Sequence, residues 1–274
     1  MRATSHHAGP DARALGIALQ ELYTAQLKKS DEPYLRFHSA ELAIRQRVAS
    51  FMRYAPFVPR SGAILDWGCH HAPDASLLRA AFPLAPFRLI GCDFPSREPY
   101  AAFWEQSRLE FVAIDHPFKL PFEHEAFDCV IAAGTLEHTV HDYESLKELH
   151  RVLKNGAPLI ITHLPNRFSY VEFAARHFRK RDFHRKLYSM REIVSLLNRS
   201  GFYPTKTARH RMLPAHAGSA ALRLLIPAVE GYAEAMPGRQ LDLRRPFRSC
   251  GKSGGFLSAR TFPALSRDTD PNRK

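Results

Sequence analysis

From Gly62 onward the chain lays down five short apolar runs, AILDW (63–67), FRLIGCDF (87–94), LEFVAID (109–115), FDCVIAAG (127–134) and APLIITHLP (157–165), with longer mixed stretches between them. The runs do not alternate between apolar and polar residues, so each strand is expected to be covered on both faces. Connections of a dozen residues or more then imply parallel pairing with crossover helices. Helices are expected over Asp74–Ala81, Pro99–Glu105 and Asp142–Leu153, the last opening on an acid and stopping at Lys154-Asn155-Gly156. This pattern predicts an α/β chain, a Rossmann-like, mostly parallel sheet with helices on both faces.

Apolar residues at three- and four-residue spacing mark two further helices, Ala12–Leu27 and Ser39–Tyr54, read as an N-terminal helical lid over residues 1–55. The core is expected over 56–210, with an insertion near 167–188. Helices are expected over Ser169–Phe178 and Ser189–Arg199, separated by the basic segment 179–186, and FYPTKTARH (202–210) is a sixth strand. Residues 211–274 are expected to be a helix (Ser219–Ala235) and an irregular basic tail, in which GFLSARTF (255–262) is a poor strand candidate.

With 45% hydrophobic residues in 274, the chain buries a sizeable core, which excludes disorder throughout. Its four cysteines include no CxxC pair and no apolar run reaches the ~18 residues of a membrane span, so a reducing, cytoplasmic setting is expected. The charge is uneven. Residues 1–166 carry 17 basic and 19 acidic side chains, whereas 167–274 carry 22 and 8, a split of −2 against +14. Aromatics are interleaved with the basic residues from Phe168 to Tyr188. The expected partners are, in order, a small anionic acceptor, an anionic membrane surface bearing a lipid-linked acceptor, and nucleic acid, which is last because no RNA-binding module is present.

In an open parallel sheet, ligands bind beyond the C-terminal strand ends. The first strand ends on Asp66-Trp67-Gly68-Cys69, the second on Asp93-Phe94, the third on Asp115-His116 and the fourth on Ala133-Gly134-Thr135. A glycine there lets a ligand approach backbone, an acid after the second strand accepts a pair of ribose hydroxyls, and one after the third accepts an exocyclic amine. His138, His141 and His163 fall at or just beyond strand ends and are the candidate general bases. A metal site is not expected, because His70-His71 are adjacent and read as diverging, and His138/His141 lack an HExxH pattern.

The motifs LDWGC, GCDF, LPFEHEAFDCVIAAGTLEH and ELHRVLKNGAPLIITHLPN, in that order between Gly62 and Asn166, resemble the class I S-adenosylmethionine-dependent methyltransferases, especially the type 11 group. The resemblance implies a seven-stranded sheet, an acceptor-facing place for the insertion near 167–188, and S-adenosyl-L-methionine as cofactor; it also implies a last strand antiparallel at the sheet edge, so that either 255–262 supplies it or the sheet is one strand short. Asp66, Gly68 and Cys69 would surround its methionine end, and Asp93 would hold the ribose with Phe94 against the adenine. Asp115 and His116 would read the adenine edge, and Ala133, Thr135 and His138 would close the pocket near the sulfonium. One departure stands out: the family's D-x-G-C-G-x-G is here Asp66-Trp67-Gly68-Cys69-His70-His71-Ala72, with His70 and Ala72 in place of two glycines. Their side chains are expected to point away from the cofactor, or the cofactor to sit differently, and Asp74 to cap the following helix. The departure also leaves open a methyltransferase-like scaffold without catalysis, whereas the absence of G-x-G-x-x-G disfavours a nicotinamide oxidoreductase.

Overall fold

The structure, a computed structural model, describes residues 10–29, 32–95, 100–168, 185–209 and 255–261. Three helices come first: α1 (Ala12–Leu27), α2 (Pro33–His38) and α3 (Glu41–Tyr54). There follow β1 (Gly62–Trp67), α4 (Pro73–Ala81), β2 (Phe87–Asp93), α5 (Ala101–Ser107), β3 (Leu109–Ala113) and β4 (Cys129–Ala133). The described chain continues through α6 (Asp142–Val152), β5 (Pro158–Leu164), α7 (Met190–Arg199), β6 (Phe202–Arg209) and β7 (Gly255–Thr261). The expected helices over Ser169–Phe178 and Ser219–Ala235 lie outside the described residues.

The strands form one seven-stranded sheet in the order β3-β2-β1-β4-β5-β7-β6. The first five are parallel, and β7 runs antiparallel to both β5 and β6. The poor strand candidate therefore supplies the last strand in sequence, but not at the edge where it was expected. It is inserted between β5 and β6, and β6 forms the edge. The order reverses at β1, which has β2 on one side and β4 on the other, so a crevice opens above the C-terminal ends of these strands.

Consecutive residues of β1 belong to different cores, as two-sided burial requires: Ile64 faces α1, α3, α4 and α5, and Leu65 faces α6 and α7. On the first face Leu15, Leu19, Leu22 and Tyr23 of α1 and Ile44, Val48, Phe51 and Tyr54 of α3 share one continuous core with Leu77 and Leu78 of α4. The helices expected as a lid thus form part of the covering layer of the sheet. Helix α2 was not anticipated; it starts at Pro33, whose ring suits a first helical turn, and places Tyr34 and His38 over the β1–α4 loop. Helix α7 begins with a full capping box, Ser189 with Glu192.

Candidate functional site

The β1–α4 loop is tied to the end of β2 through backbone: the N–H groups of Gly68 and Cys69 donate to the carbonyl of Cys92 at 2.8 and 3.3 Å. Asp93 then receives the His70 N–H on Oδ2 at 2.9 Å and the Phe94 N–H on Oδ1 at 2.7 Å. The Asp93 carbonyl accepts from Ile114 N–H at 2.9 Å, which draws in the end of β3. From the other side the Thr135 hydroxyl donates to the Trp67 carbonyl at 3.0 Å. Gly68 has φ +69, and a β-carbon there would collide with the Thr135 side chain. Four strand ends thereby converge, bringing Asp66, Gly68, Cys69, Asp93, Phe94 and Thr135 together.

Asp66 is 5% exposed; its carboxylate receives the Ala75 N–H, while Oδ2 has no partner among the described residues. Burial, reinforced by Asp74, pushes its pKa well up, and Arg47 opposes the shift. A buried carboxylate oxygen without a partner at the end of β1 fits a cationic ligand group such as the ammonium of an amino acid. Phe94 is 49% exposed and Asp115 is exposed, which leaves a ring face and an acceptor just beyond the ends of β2 and β3. Ala133 is half-buried at the end of β4. The residues present therefore fit an adenosyl amino acid. Cys69, Cys92 and Cys129 are buried thiols whose pKa burial raises, so none is activated as a nucleophile.

Other sequence expectations are modified. His116 accepts the N–H groups of Phe118 and Lys119 on Nδ1, at 3.3 and 2.9 Å, so it staples its own turn and keeps its Nε2 edge for any other contact. Its ring contacts Phe118, which in turn contacts His141. His138 is exposed in the short turn 136–138, and His141 is exposed at the N-cap position of α6. His163 sits in a bulge of β5 with φ +62, beside Gly134 at the end of β4. Of the three candidate bases it alone has strained backbone, a feature that clusters at functional sites.

The departures from the glycine motif are resolved in an unexpected way. His70 and Ala72 both adopt left-handed φ, +48 and +53, so the loop keeps the glycine conformation without the glycines at a cost of about 1–2 kcal/mol each. His70 and His71 do not diverge, because the left-handed turn at His70 brings their Nδ1 atoms to 3.2 Å of each other. Asp74 does not cap α4, whose N-cap is Ala72 without a side-chain bond. It is 1% exposed within the first turn, where it accepts from the Arg47 guanidinium and from the Tyr54 hydroxyl at 2.5 Å.

Sequence reasoning missed Tyr23 and Arg47, through which α1 and α3 enter the site. The Tyr23 hydroxyl is 2.6 Å from His71 Nε2, the Tyr34 ring lies 4.6 Å from that of His70, and Arg47 reaches Asp74. The available signal was positional: Tyr23 continues the Leu15–Leu19–Leu22 stripe, and Arg47 is a cation on the Ile44–Val48–Phe51 face. Both place polar atoms where only a partner makes burial affordable.

A second feature lies between α6 and α7, a cleft of about 840 Å³ lined by Asp142, Arg167, Arg185, Lys186, Arg191, Arg199 and neighbouring residues. Arg167 pairs with Glu192 and Lys186 with Asp142, both at 2.7–2.8 Å. Arg185 and Arg191 have no carboxylate partner among the described residues, and Arg199 lies over the Tyr143 ring.

The sheet order, the reversal at β1 and the acids at its strand ends define the class I methyltransferase fold. Within it, residues 65–161 match the family described as "Methyltransferase domain", a family whose cofactor is S-adenosyl-L-methionine. No protein of curated function matches the sequence. Among solved structures, the chain is similar to an S-adenosylmethionine-dependent methyltransferase of Thermotoga maritima, described as a possible histamine N-methyltransferase. There the identity is 16% and the TM-score 0.57, over 89% of this chain and 99% of that one. A methyltransferase of Archaeoglobus fulgidus is 18% identical with TM-score 0.55, over 84% of this chain and 100% of that one. The 4+2 cyclase SpnF is likewise 18% identical with TM-score 0.55, over 93% and 98%. At these identities the likeness defines the fold alone, and the three descriptions show that this fold accommodates different chemistries.

Proposed function

We propose that the chain transfers a methyl group from S-adenosyl-L-methionine to an oxygen, nitrogen or carbon of a small or lipid-linked anionic acceptor. The observation that carries this reading is the convergence of Asp66, Asp93 and Asp115 at the switch point, with one Asp66 oxygen buried and unpartnered. Asp66 binds the cofactor ammonium beside Gly68 and Cys69, Asp93 takes the ribose hydroxyls, Phe94 covers the adenine, and Asp115 and the Nε2 edge of His116 read its rim. Ala133, Thr135 and His138 bound the pocket near the sulfonium. When bound, S-adenosyl-L-methionine supplies a methyl group already activated as a leaving sulfonium. The chain's own tasks are therefore alignment, exclusion of water and, for a hydroxyl or ammonium acceptor, removal of a proton. His163, on strained backbone beside Gly134, is the first candidate for that proton, ahead of His138 and His141.

The anionic acceptor is supported by the +14 charge of residues 167–274 and by the arginine-lined cleft. Titration calorimetry with S-adenosylhomocysteine tests the cofactor half of the reading. Wild type is expected to bind and Asp93→Ala to lose at least about tenfold in affinity; undiminished binding by the variant would sink the assignment. Methyl-labelled cofactor incubated with metabolite extracts then identifies the acceptor. The second reading, a domain that binds the cofactor without transferring its methyl, is favoured by the replaced glycines. It predicts cofactor binding with no labelled product from any extract.

A further inference from the structure

Five polar side chains from α1, the N-cap of α2, the β1–α4 loop and the N-cap of α5 follow one another at hydrogen-bond spacing. Tyr23 Oη lies 2.6 Å from His71 Nε2, His71 Nδ1 lies 3.2 Å from His70 Nδ1, and His70 Nε2 lies 3.4 Å from Tyr100 Oη. The Tyr100 hydroxyl donates to Glu32 Oε1 at 2.8 Å. The far end fixes the direction of the whole series. With its proton given to Glu32, Tyr100 accepts from His70, which must be the Nε2–H tautomer with a bare Nδ1. His71 fills that lone pair with its Nδ1–H, which leaves its Nε2 bare to accept the Tyr23 hydroxyl. Every hydrogen then has one acceptor, and both imidazoles are neutral. Burial lowers the pKa of both histidines, in agreement with this protonation; Arg47 and His38 add to the effect at His71, whereas Asp93 and Glu32 oppose it at His70.

The chain bears on Asp93 through the peptide of His70. The ring of His70 is held between Tyr34 and Tyr100, each 4.6 Å away, and its carbonyl accepts the Trp104 indole N–H at 3.0 Å. So clamped, His70 keeps φ +48 and delivers its N–H to Asp93 Oδ2, while Phe94 N–H holds Oδ1. Each carboxylate oxygen is thus fixed by one backbone donor and keeps further acceptor capacity.

We propose that Tyr23, His71, His70, Tyr100 and Glu32 form one directed hydrogen-bond chain that positions Asp93 for the ribose hydroxyls, doing from the N-terminal helices what the missing loop glycines do by conformation. The proposal rests on the reading that Asp93 holds the ribose; the five are positioning residues and need not touch the cofactor. They also explain why His70 is kept on left-handed backbone that glycine would adopt at no cost.

Two measurements test it. Long-range proton–nitrogen spectra of the unliganded protein at neutral pH, assigned with His70→Gln and His71→Gln, should show His70 as the Nε2–H tautomer and His71 as the Nδ1–H tautomer; a protonated ring or the opposite tautomers would overturn the chain. Calorimetry with S-adenosylhomocysteine should show about tenfold weaker binding for Tyr100→Phe and near wild-type binding for Glu32→Gln, whose carbonyl still accepts. His70→Gly, which restores the family residue, should bind more weakly; equal or tighter binding would overturn the proposal. Tyr100→Phe should cost nothing further in an Asp93→Asn background, whereas additive losses would show that the chain does not act through Asp93. Absence of binding by wild type overturns the cofactor reading and the positioning role with it. Wild-type binding that Tyr100→Phe leaves unchanged overturns the positioning role alone.

Discussion

Gly68 and Thr135 meet at the point where β1 and β4 diverge, and each leaves the other no room to grow. Gly68→Ala adds a β-carbon both to a left-handed backbone and into the Thr135 side chain, so it should cost about 2 kcal/mol or more in urea unfolding. Gly68→Ala combined with Thr135→Gly relieves the collision but not the backbone strain, and should recover only part of that loss. His71 gives a pH signature. Burial, reinforced by Arg47 of α3, His70 and His38 of α2, holds its pKa well below the usual 6.5, while Tyr23 of α1 donates to its bare nitrogen. Above that value both folded and unfolded states carry a neutral ring. As pH falls below it, only the unfolded chain takes the proton, so folding stability declines toward the depressed folded pKa. The melting temperature should therefore drop between pH 6.5 and 5, and His71→Gln, which keeps an acceptor for Tyr23 but does not titrate, should flatten the slope.

Helix α3 is fastened beneath the loop by Arg47 and Tyr54 on Asp74, a buried charge pair with one added hydroxyl donor. Removing a single partner, as in Arg47→Met or Asp74→Leu, should cost about 3–5 kcal/mol by denaturant unfolding, because the remaining charge is left buried. The double variant should regain much of it, a result that separates lost pairing from lost packing. The five parallel strands were legible because two-sided burial writes uninterrupted apolar runs, and α1 and α3 because their periodicity is that of a covering layer. Helix α2 was hidden: six residues opened by a proline and mixing rings with charges carry no period of their own, and tertiary contacts with His70 and His71 position it. The strand-end acids could be read from position, but their geometry could not. That Asp93 is held by the His70 peptide, or that Asp74 answers to α3 rather than capping α4, depends on residues far apart in sequence.

At the scale of the molecule the charge split acquires a place, since five cations of the basic part and Asp142 and Glu192 line one cleft. Arg191→Glu with Arg199→Glu should raise the acceptor KM several-fold and steepen with falling salt, while S-adenosylhomocysteine affinity stays within about twofold; equal effects on both ligands would remove the cleft from acceptor recognition. The placement of β7 has a different consequence, for the order in which the sheet can be finished. β6 is synthesised first yet cannot join β5, because the position between them belongs to a strand that arrives only after residues 210–254. Until Gly255–Thr261 threads in, β5 presents an unpaired edge of N–H and carbonyl groups and β6 has no neighbour, the arrangement that invites pairing with another chain. The long excursion also makes this closure a non-local contact, slow to form relative to the βα units before it. Completion of this sheet thus waits on Gly255–Thr261, and the seam between β5 and β6 stays open until that strand arrives.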